Sequence, residues 1–249
     1  MAQFRKDRHV YLDDGKTIFE VVMLADQYGN LVGPSNPTGV AVDAFGRART
    51  SQPLTLFDSF NRYGDNGKFA TANTTGGTFG FVANTSSVDL SVSTASGASV
   101  YRESMRVFAY QPGKSLQILN TFVMNPAKNN LRQRVGYFGA NNGVFLQRNT
   151  DNSGNTTVAF VKRSSVTGTS TDTPVYQSDW NIDPLDGTGP SLLTLNLDDP
   201  QILFFDIEWL GVGSIRAGFV INGQFIHCHS FHHANICLLY TSDAADEGL

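Results

Sequence analysis

From residue 71 onward the chain alternates apolar and polar positions in short runs broken by Gly, Asn, Asp and Pro. Side chains of a strand point alternately to its two faces, so a period of two marks half-buried strands. The runs "GGTFGFVAN" (76–84), "SSVDLSVSTAS" (86–96) and "TTVAFVKRSS" (156–165) read this way. Two strands flank "QPGK" (111–114), and two more flank "GANNG" (139–143). No segment holds a 3.6-residue period over three turns. Strands spaced by about ten residues predict an all-β fold, an antiparallel β-sandwich or jelly roll of lectin-like kind.

The sharpest local prediction is "SIRAGFVINGQFIHCHSF" (214–231), where Asn222-Gly223 separates two β-prone runs. Asn-Gly suits a type I′ turn, which needs positive φ at both central residues. A two-residue loop sets Ile221 opposite Gln224, Phe219 opposite Ile226, Gly218 opposite His227, Ala217 opposite Cys228 and Arg216 opposite His229. Ile215, Ala217, Phe219, Ile221, Ile226 and Cys228 then face the core. Arg216, Gly218, Val220, Phe225, His227 and His229 take the other face. The preceding run "LFFDIEWL" (203–210) turns Leu203, Phe205, Ile207 and Trp209 inward and Asp206 and Glu208 outward.

Residues 1–50 read differently. "TIFEVVML" (17–24) is a strand candidate, "DQYGN" (26–30) is turn chemistry, and "GPSNPTG" (33–39) breaks any ladder with two prolines and two glycines. This predicts an N-terminal arm over 1–50, joined through 41–60 to a sandwich domain spanning 51–236.

Composition narrows the function classes. The 249 residues carry 18 Lys+Arg against 22 Asp+Glu, a net charge of −4. Basic residues cluster only in "FRKDRH" (4–9) and "LRQR" (131–134), too few to neutralise a phosphate backbone, so no nucleic-acid partner is expected. No stretch approaches 18 consecutive apolar residues and the N-terminus has no apolar signal core, so no membrane span or secretory leader is expected. Two cysteines exclude a disulfide framework and suit synthesis in a reducing compartment.

Four of the five histidines fall within 227–233. His227 and His229 on one face would suit a metal, but Arg216 beside them disfavours a cation and the spacing matches no zinc pattern. The reading is a polar sheet face or groove wall, with no metal or cofactor and with Cys228 a buried free thiol. "WNIDPLDGTGPS" (180–191) is the most distinctive loop. Trp180, Asp183 and Asp186 there are candidate ligand contacts, as in sandwiches that bind sugars beside Asp-rich loops. Asn181, Asp183 and Asp186 with Gly187 also offer oxygens of the kind Ca²⁺ takes, but the EF-hand spacing and its closing Glu are absent. Against both readings stands a rigid Asp-Pro-Gly turn anchored on the core by Trp180. Asp206 and Glu208, two apart on a strand, lie ~6–7 Å from each other, which either glycosidase spacing tolerates. No GxSxG, HExxH, P-loop or GxGxxG context occurs.

The segments "VDAFGRARTSQPLTLFDS" (42–59), "YQPGKSLQI" (110–118), "RVGYFGANNGVFLQ" (134–147), "QSDWNIDPLDGTGPS" (177–191) and "IEWLGVGSIRAGFVINGQFIHCHSFHHAN" (207–235) carry a resemblance. Together, in this order, they are similar to a family of virion structural proteins of tailed, notably marine, bacteriophages, with relatives in large DNA viruses. The resemblance implies a non-enzymatic tail, fibre or capsid-decoration protein located in the virion and made in the host cytoplasm. It implies other virion proteins as partners and a homo-oligomer (a trimer by analogy with phage appendages), and it identifies no ligand. Trp180, Asp183, Asp186, Arg216, His227 and His229 are candidate contacts for a host-surface glycan on the reading of the residues alone. The alternative is a virion-borne glycan-degrading enzyme on a concanavalin-like sandwich.

The end of the chain carries a second resemblance. "CLLYTSDAADE" (237–247) is similar, over eleven consecutive residues, to the in-frame translation of a transposase adapter used in sequencing libraries. This predicts that 237–249 are adapter-derived and that the domain is truncated after Asn235. Without Asp243, Asp246 and Glu247 the acidic count falls from 22 to 19 against 18 basic residues, a net charge of −1.

Overall fold

The computed structural model describes residues 9–11 and 18–20 by their backbone, and 54–108, 114–208 and 213–233 with their side chains. The expectations for 21–53, the "QPG" of the 111–114 turn, Trp209, the truncation after Asn235 and the adapter-like tail lie outside these residues. Among the described residues all elements are strands except one 3-10 turn. The fold is all-β and antiparallel, as the alternation predicts.

His9–Tyr11 (β1) and Ile18–Glu20 (β2) pair antiparallel, with Val10 opposite Phe19. The chain then divides into two compact units, Thr50–Tyr110 and the remainder. The span 51–236, expected as one sandwich, therefore holds a separate unit at its N-terminal end. That unit has four strands: Phe69–Asn73 (β3), Gly77–Val82 (β4), Ser87–Val92 (β5) and Val100–Ser104 (β6). β3 pairs with β6 and β4 with β5, giving two two-stranded ribbons. Phe57 packs edge-on against Phe69 and Phe108, at 5.6 and 5.2 Å between centroids. Arg102 forks onto Asp65 at 2.6 and 2.7 Å, with its guanidinium over Phe69.

The larger unit is a two-layer sandwich. Its strands are Ser115–Phe122 (β7), Arg132–Phe138 (β8), Gly143–Thr150 (β9), Thr156–Ser164 (β10), Thr171–Tyr176 (β11), Gln201–Glu208 (β12), Ser214–Ile221 (β13) and Gln224–His232 (β14). They form two four-stranded sheets, ordered β11-β10-β9-β8 and β14-β13-β12-β7. Val144, Leu146 and Phe160 from the first sheet meet Leu203, Phe205, Ile207, Ala217 and Phe219 from the second. Burying a large apolar side chain stabilises by roughly 1.5–3 kcal/mol, so this layer holds the sheets together. Phe160 is its hub, stacked on Trp180 at 4.4 Å and edge-on to Phe205 at 6.0 Å.

The outer face of the first sheet departs from a simple inside/outside alternation. Phe145 and Val161 sit there yet are almost fully buried. The guanidinium groups of Arg134 and Arg163 lie 5.1 and 5.3 Å from the Phe145 ring centre and roof it over. Asp172 holds that roof, accepting from Arg163 Nε and Nη2 at 2.7 and 2.9 Å. Long cationic side chains thus shield apolar surface while their heads stay paired.

The hairpin at Asn222-Gly223 forms as predicted, with φ of 53° and 77° at its two turn residues. Its register holds from Ile221–Gln224 to Gly218–His227 and then shifts. Ala217 pairs with His229, not Cys228, and Arg216 pairs with Ser230, not His229. Cys228 is the extra residue of a β-bulge, which moves every later side chain of β14 to the opposite face. The cause of the bulge is a loop distant in sequence. The carbonyl of Cys228 turns out of the ladder and accepts Ile182 N–H and Asp183 N–H, both at 3.1 Å. Gly218, next to the shift, leaves no room for a side chain, since a Cβ there would lie 2.0 Å from the Ile226 carbonyl oxygen and 2.8 Å from the Phe204 ring.

Candidate functional site

Cross-strand partners share a face, so the register of β7, β12, β13 and β14 defines rows on the outer side of the second sheet. One row is Ser115, Glu208, Ser214 and His232; the next is Gln117, Asp206, Arg216 and Ser230; the third is Leu119, Phe204, Gly218 and His227. Two polar rows therefore abut an apolar one. Phe204 packs edge-on against Phe225 at 5.1 Å and lies 6.5 Å from the His227 ring. Phe225 is 40% exposed and gives the face an open aromatic border.

Charge is concentrated in the middle row. Arg216 Nη1 lies 3.4 Å from Asp206 Oδ2, and Nη2 lies 3.4 Å from Glu208 Oε2. Glu208 is buried and Asp206 mostly so, whereas Arg216 is one-third exposed by its side chain. The guanidinium sits between the two carboxylates, where a glycosidase would need its water or scissile bond. The geometry of this pair therefore suits polar recognition better than hydrolysis.

Histidines frame the triplet. His227 Nε2 is 3.0 Å from Ser230 Oγ and 3.2 Å from the His229 carbonyl oxygen, to which it donates. Burial, and then the Arg216 charge, push its pKa down to about 4, so it is neutral at pH 7. His232 Nδ1 bonds Ser214 Oγ at 2.9 Å on the row beyond. Further along, the buried His233 has Nδ1 3.1 Å from the Gly213 carbonyl and Nε2 3.4 Å from Lys162 Nζ. Burial lowers the pKa of both partners.

The six expected contact residues separate into groups. Arg216 and His227 share the outer face, as predicted. His229 does not join them, because the bulge turns it to the other side of β14. There it is 6% exposed, stands edge-on to Phe231 at 4.5 Å, and accepts Asn181 N–H through Nδ1 at 3.3 Å. Burial holds its pKa at about 4, so that acceptor nitrogen stays free of a proton at pH 7. Trp180 lies in the core with Nε1 donating to the Val175 carbonyl at 3.2 Å, so its ring faces Phe160 rather than solvent. Asp183 is 3% exposed, and its oxygens accept Leu185 N–H and Ser191 N–H at 2.9 and 2.8 Å. Asp186 is exposed, with Oδ1 taken by Thr188 N–H and Oγ–H at 2.9 and 2.6 Å. The 180–191 loop thus adopts the rigid-turn reading, and it has a task. It clasps the outer edge of β14, where Asn181 exchanges 2.9 and 3.0 Å bonds with the backbone of Ser230. The clasp occupies this edge at Cys228 and Ser230 and blocks further strand pairing there.

Sequence reasoning missed Ser214, Ser230, Gln117, Phe204 and Ser115 on the outer face. Phe204 was within reach, since it alternates with Asp206 and Glu208. Gln117 and Ser115 were not, because they pair with Asp206 and Glu208 across some ninety residues of chain. Among the described residues no group of three or more His, Cys, Asp or Glu side chains is placed to hold a metal ion. In comparisons with protein-family models, curated proteins and solved structures, nothing matches this chain. What the fold and the face define is a class: an antiparallel sandwich with an aromatic-edged polar sheet face.

Proposed function

We propose that the protein is a structural component of a bacteriophage particle, a tail, fibre or capsid-decoration protein, whose sandwich attaches to host-surface glycans without cleaving them. The observation that supports binding is the outer face of β14-β13-β12-β7, with the Asp206–Arg216–Glu208 triplet, His227 and Ser230 beside the Phe204–Phe225 pair. Sugars offer both faces that such a surface needs. Their hydroxyls bond to carboxylates, imidazole and guanidinium, and their C–H faces pack on aromatic rings. The particle assignment rests on the resemblance carried by 42–235.

The test is a glycan-array and calorimetric comparison of the wild type with Phe225→Ala and Arg216→Met, each checked for native circular dichroism. Either change should weaken a captured glycan about tenfold or more, the equivalent of one lost contact of ~1.4 kcal/mol. Reducing ends should not accumulate. Sugar release that Asp206→Asn or Glu208→Gln abolishes would replace the binder with a hydrolase, and unchanged affinity in both variants would place the glycan elsewhere.

A further inference from the structure

The outer face of the β11-β10-β9-β8 sheet holds more positive charge than its own carboxylate balances. By register one row is Arg132, Asn149 and Thr157, and the next is Arg134, Gln147, Ala159 and Tyr176. Arg163 and Asp172 pair on the same side, so among the described residues three arginines face one aspartate. Arg163 takes both oxygens of Asp172 at 2.7 and 2.9 Å, and its Nη1 donates to the Gly139 carbonyl at 3.1 Å. Arg134 reaches Asp172 at 3.7 Å and donates from Nε to Gln147 Oε1 at 3.0 Å. Arg132 is exposed and makes no ion pair among the described residues. Burial, and then the charges of Arg132 and Arg163, hold the Arg134 pKa below its usual value against the pull of Asp172. Like charges gathered without a matching acid are relieved by an anion from outside.

We infer that this face binds an acidic oligosaccharide, with a uronic acid carboxylate seated between Arg132 and Arg134 and sugar hydroxyls on Asn149, Gln147 and Thr157. The two arginines are two apart on one strand face, ~6–7 Å between Cα positions, so their guanidinium forks can converge on one planar carboxylate. Gln147 gives its Oε1 to Arg134 and keeps its amide N–H groups as donors. Tyr176, 44% exposed, ends the Arg134 row and offers a ring for sugar C–H faces. Three strand spacings, about 14 Å, separate it from Arg134, so a chain of sugars meets both. The neutral donors and the ring favour a sugar acid over an acidic peptide, which needs the arginines alone. Charge also sets this face apart from that of β14-β13-β12-β7, where two carboxylates flank one arginine and repel a uronate. The inference adds a second site to the glycan reading and does not rest on it.

The experiment is calorimetric titration of the full chain with oligogalacturonate, its methyl ester and polyglutamate. The proteins are the wild type, Arg132→Gln, Tyr176→Ala and, in the other unit, Lys68→Gln, each checked for native circular dichroism. The wild type should bind oligogalacturonate with an affinity that falls as salt rises. The ester should bind about tenfold or more weakly, and Arg132→Gln should lose about as much for the acid. Tyr176→Ala should lose about threefold or more, and Lys68→Gln, which removes the same charge elsewhere, should lose nothing. No binding of oligogalacturonate, equal binding of the ester, unchanged affinity in Arg132→Gln or Tyr176→Ala, or an equal loss in Lys68→Gln would overturn the proposal. Polyglutamate bound more tightly than the uronate and weakened by Arg132→Gln would overturn it in favour of an acidic protein segment. Phe225→Ala and Arg216→Met test the other face, so either reading can fail without the other.

Discussion

Asn181→Ala isolates the clasp between the 180–191 loop and the bulged strand. Asn181 Oδ1 accepts Ser230 N–H at 2.9 Å, and Nδ2 donates to the Ser230 carbonyl at 3.0 Å. Ser230 is 6% exposed, whereas Asn181 itself is exposed. Truncation therefore removes two hydrogen bonds and strands a backbone N–H and C=O beside an opening that water reaches only in part. Two net bonds at about 1 kcal/mol each set the scale, and incomplete rehydration of Ser230 adds to it, for a loss of about 2–3 kcal/mol. Asn181→Asp keeps the acceptor for Ser230 N–H and should recover roughly half. Urea unfolding followed by tryptophan fluorescence measures both, since Trp180 precedes the clasp and lies in the core. A loss below about 0.5 kcal/mol for Asn181→Ala, at unchanged m, would refute the claim that this side chain holds β14.

Three other outcomes are expected. His227 and His229 are held down to about 4, against about 6.5 when unfolded. Their contribution should be complete above pH 6.5 and lost as pH falls through 4, by up to about 3 kcal/mol for the buried His229; urea midpoints at pH 7 and 4.5 check this, and His229→Gln should flatten the slope. Gly218→Ala should destabilise by about 2 kcal/mol or more, because its Cβ meets the Ile226 carbonyl and the Phe204 ring; an unchanged thermal midpoint would contradict the crowding. Phe160→Ala should cost about 3–5 kcal/mol through the cavity it leaves beside Trp180 and Phe205, read by denaturant titration.

The all-β architecture was legible because strand periodicity is a local signal. The Asn-Gly turn and the inward set Leu203, Phe205 and Ile207 followed from two and eight residues of context. The site was half legible. Arg216 and His227 were placed correctly up to Gly218, and then the bulge removed His229. Nothing local announces that bulge, since its cause is a loop some fifty residues earlier whose amides take the Cys228 carbonyl. Trp180 and the aspartates looked like ligand contacts because Asp, Pro and Gly serve rigid turns and binding loops alike. Which one they serve depends on where the oxygens point, and that is set by packing. The division at Thr50–Tyr110 was illegible for a similar reason. β6 and β7 are neighbours in sequence yet pair with β3 and β12, and strand partners far apart in sequence leave no local trace.

The proposed virion role is tested most directly by the composition and labelling of particles purified from cells that carry the gene for this chain. Mass spectrometry of gradient-purified particles should find the protein at a fixed ratio to the capsid protein, and antibody against the 114–233 sandwich should decorate the particle exterior. Its absence from particles, with the protein recovered only from the soluble fraction of infected cells, would contradict the account.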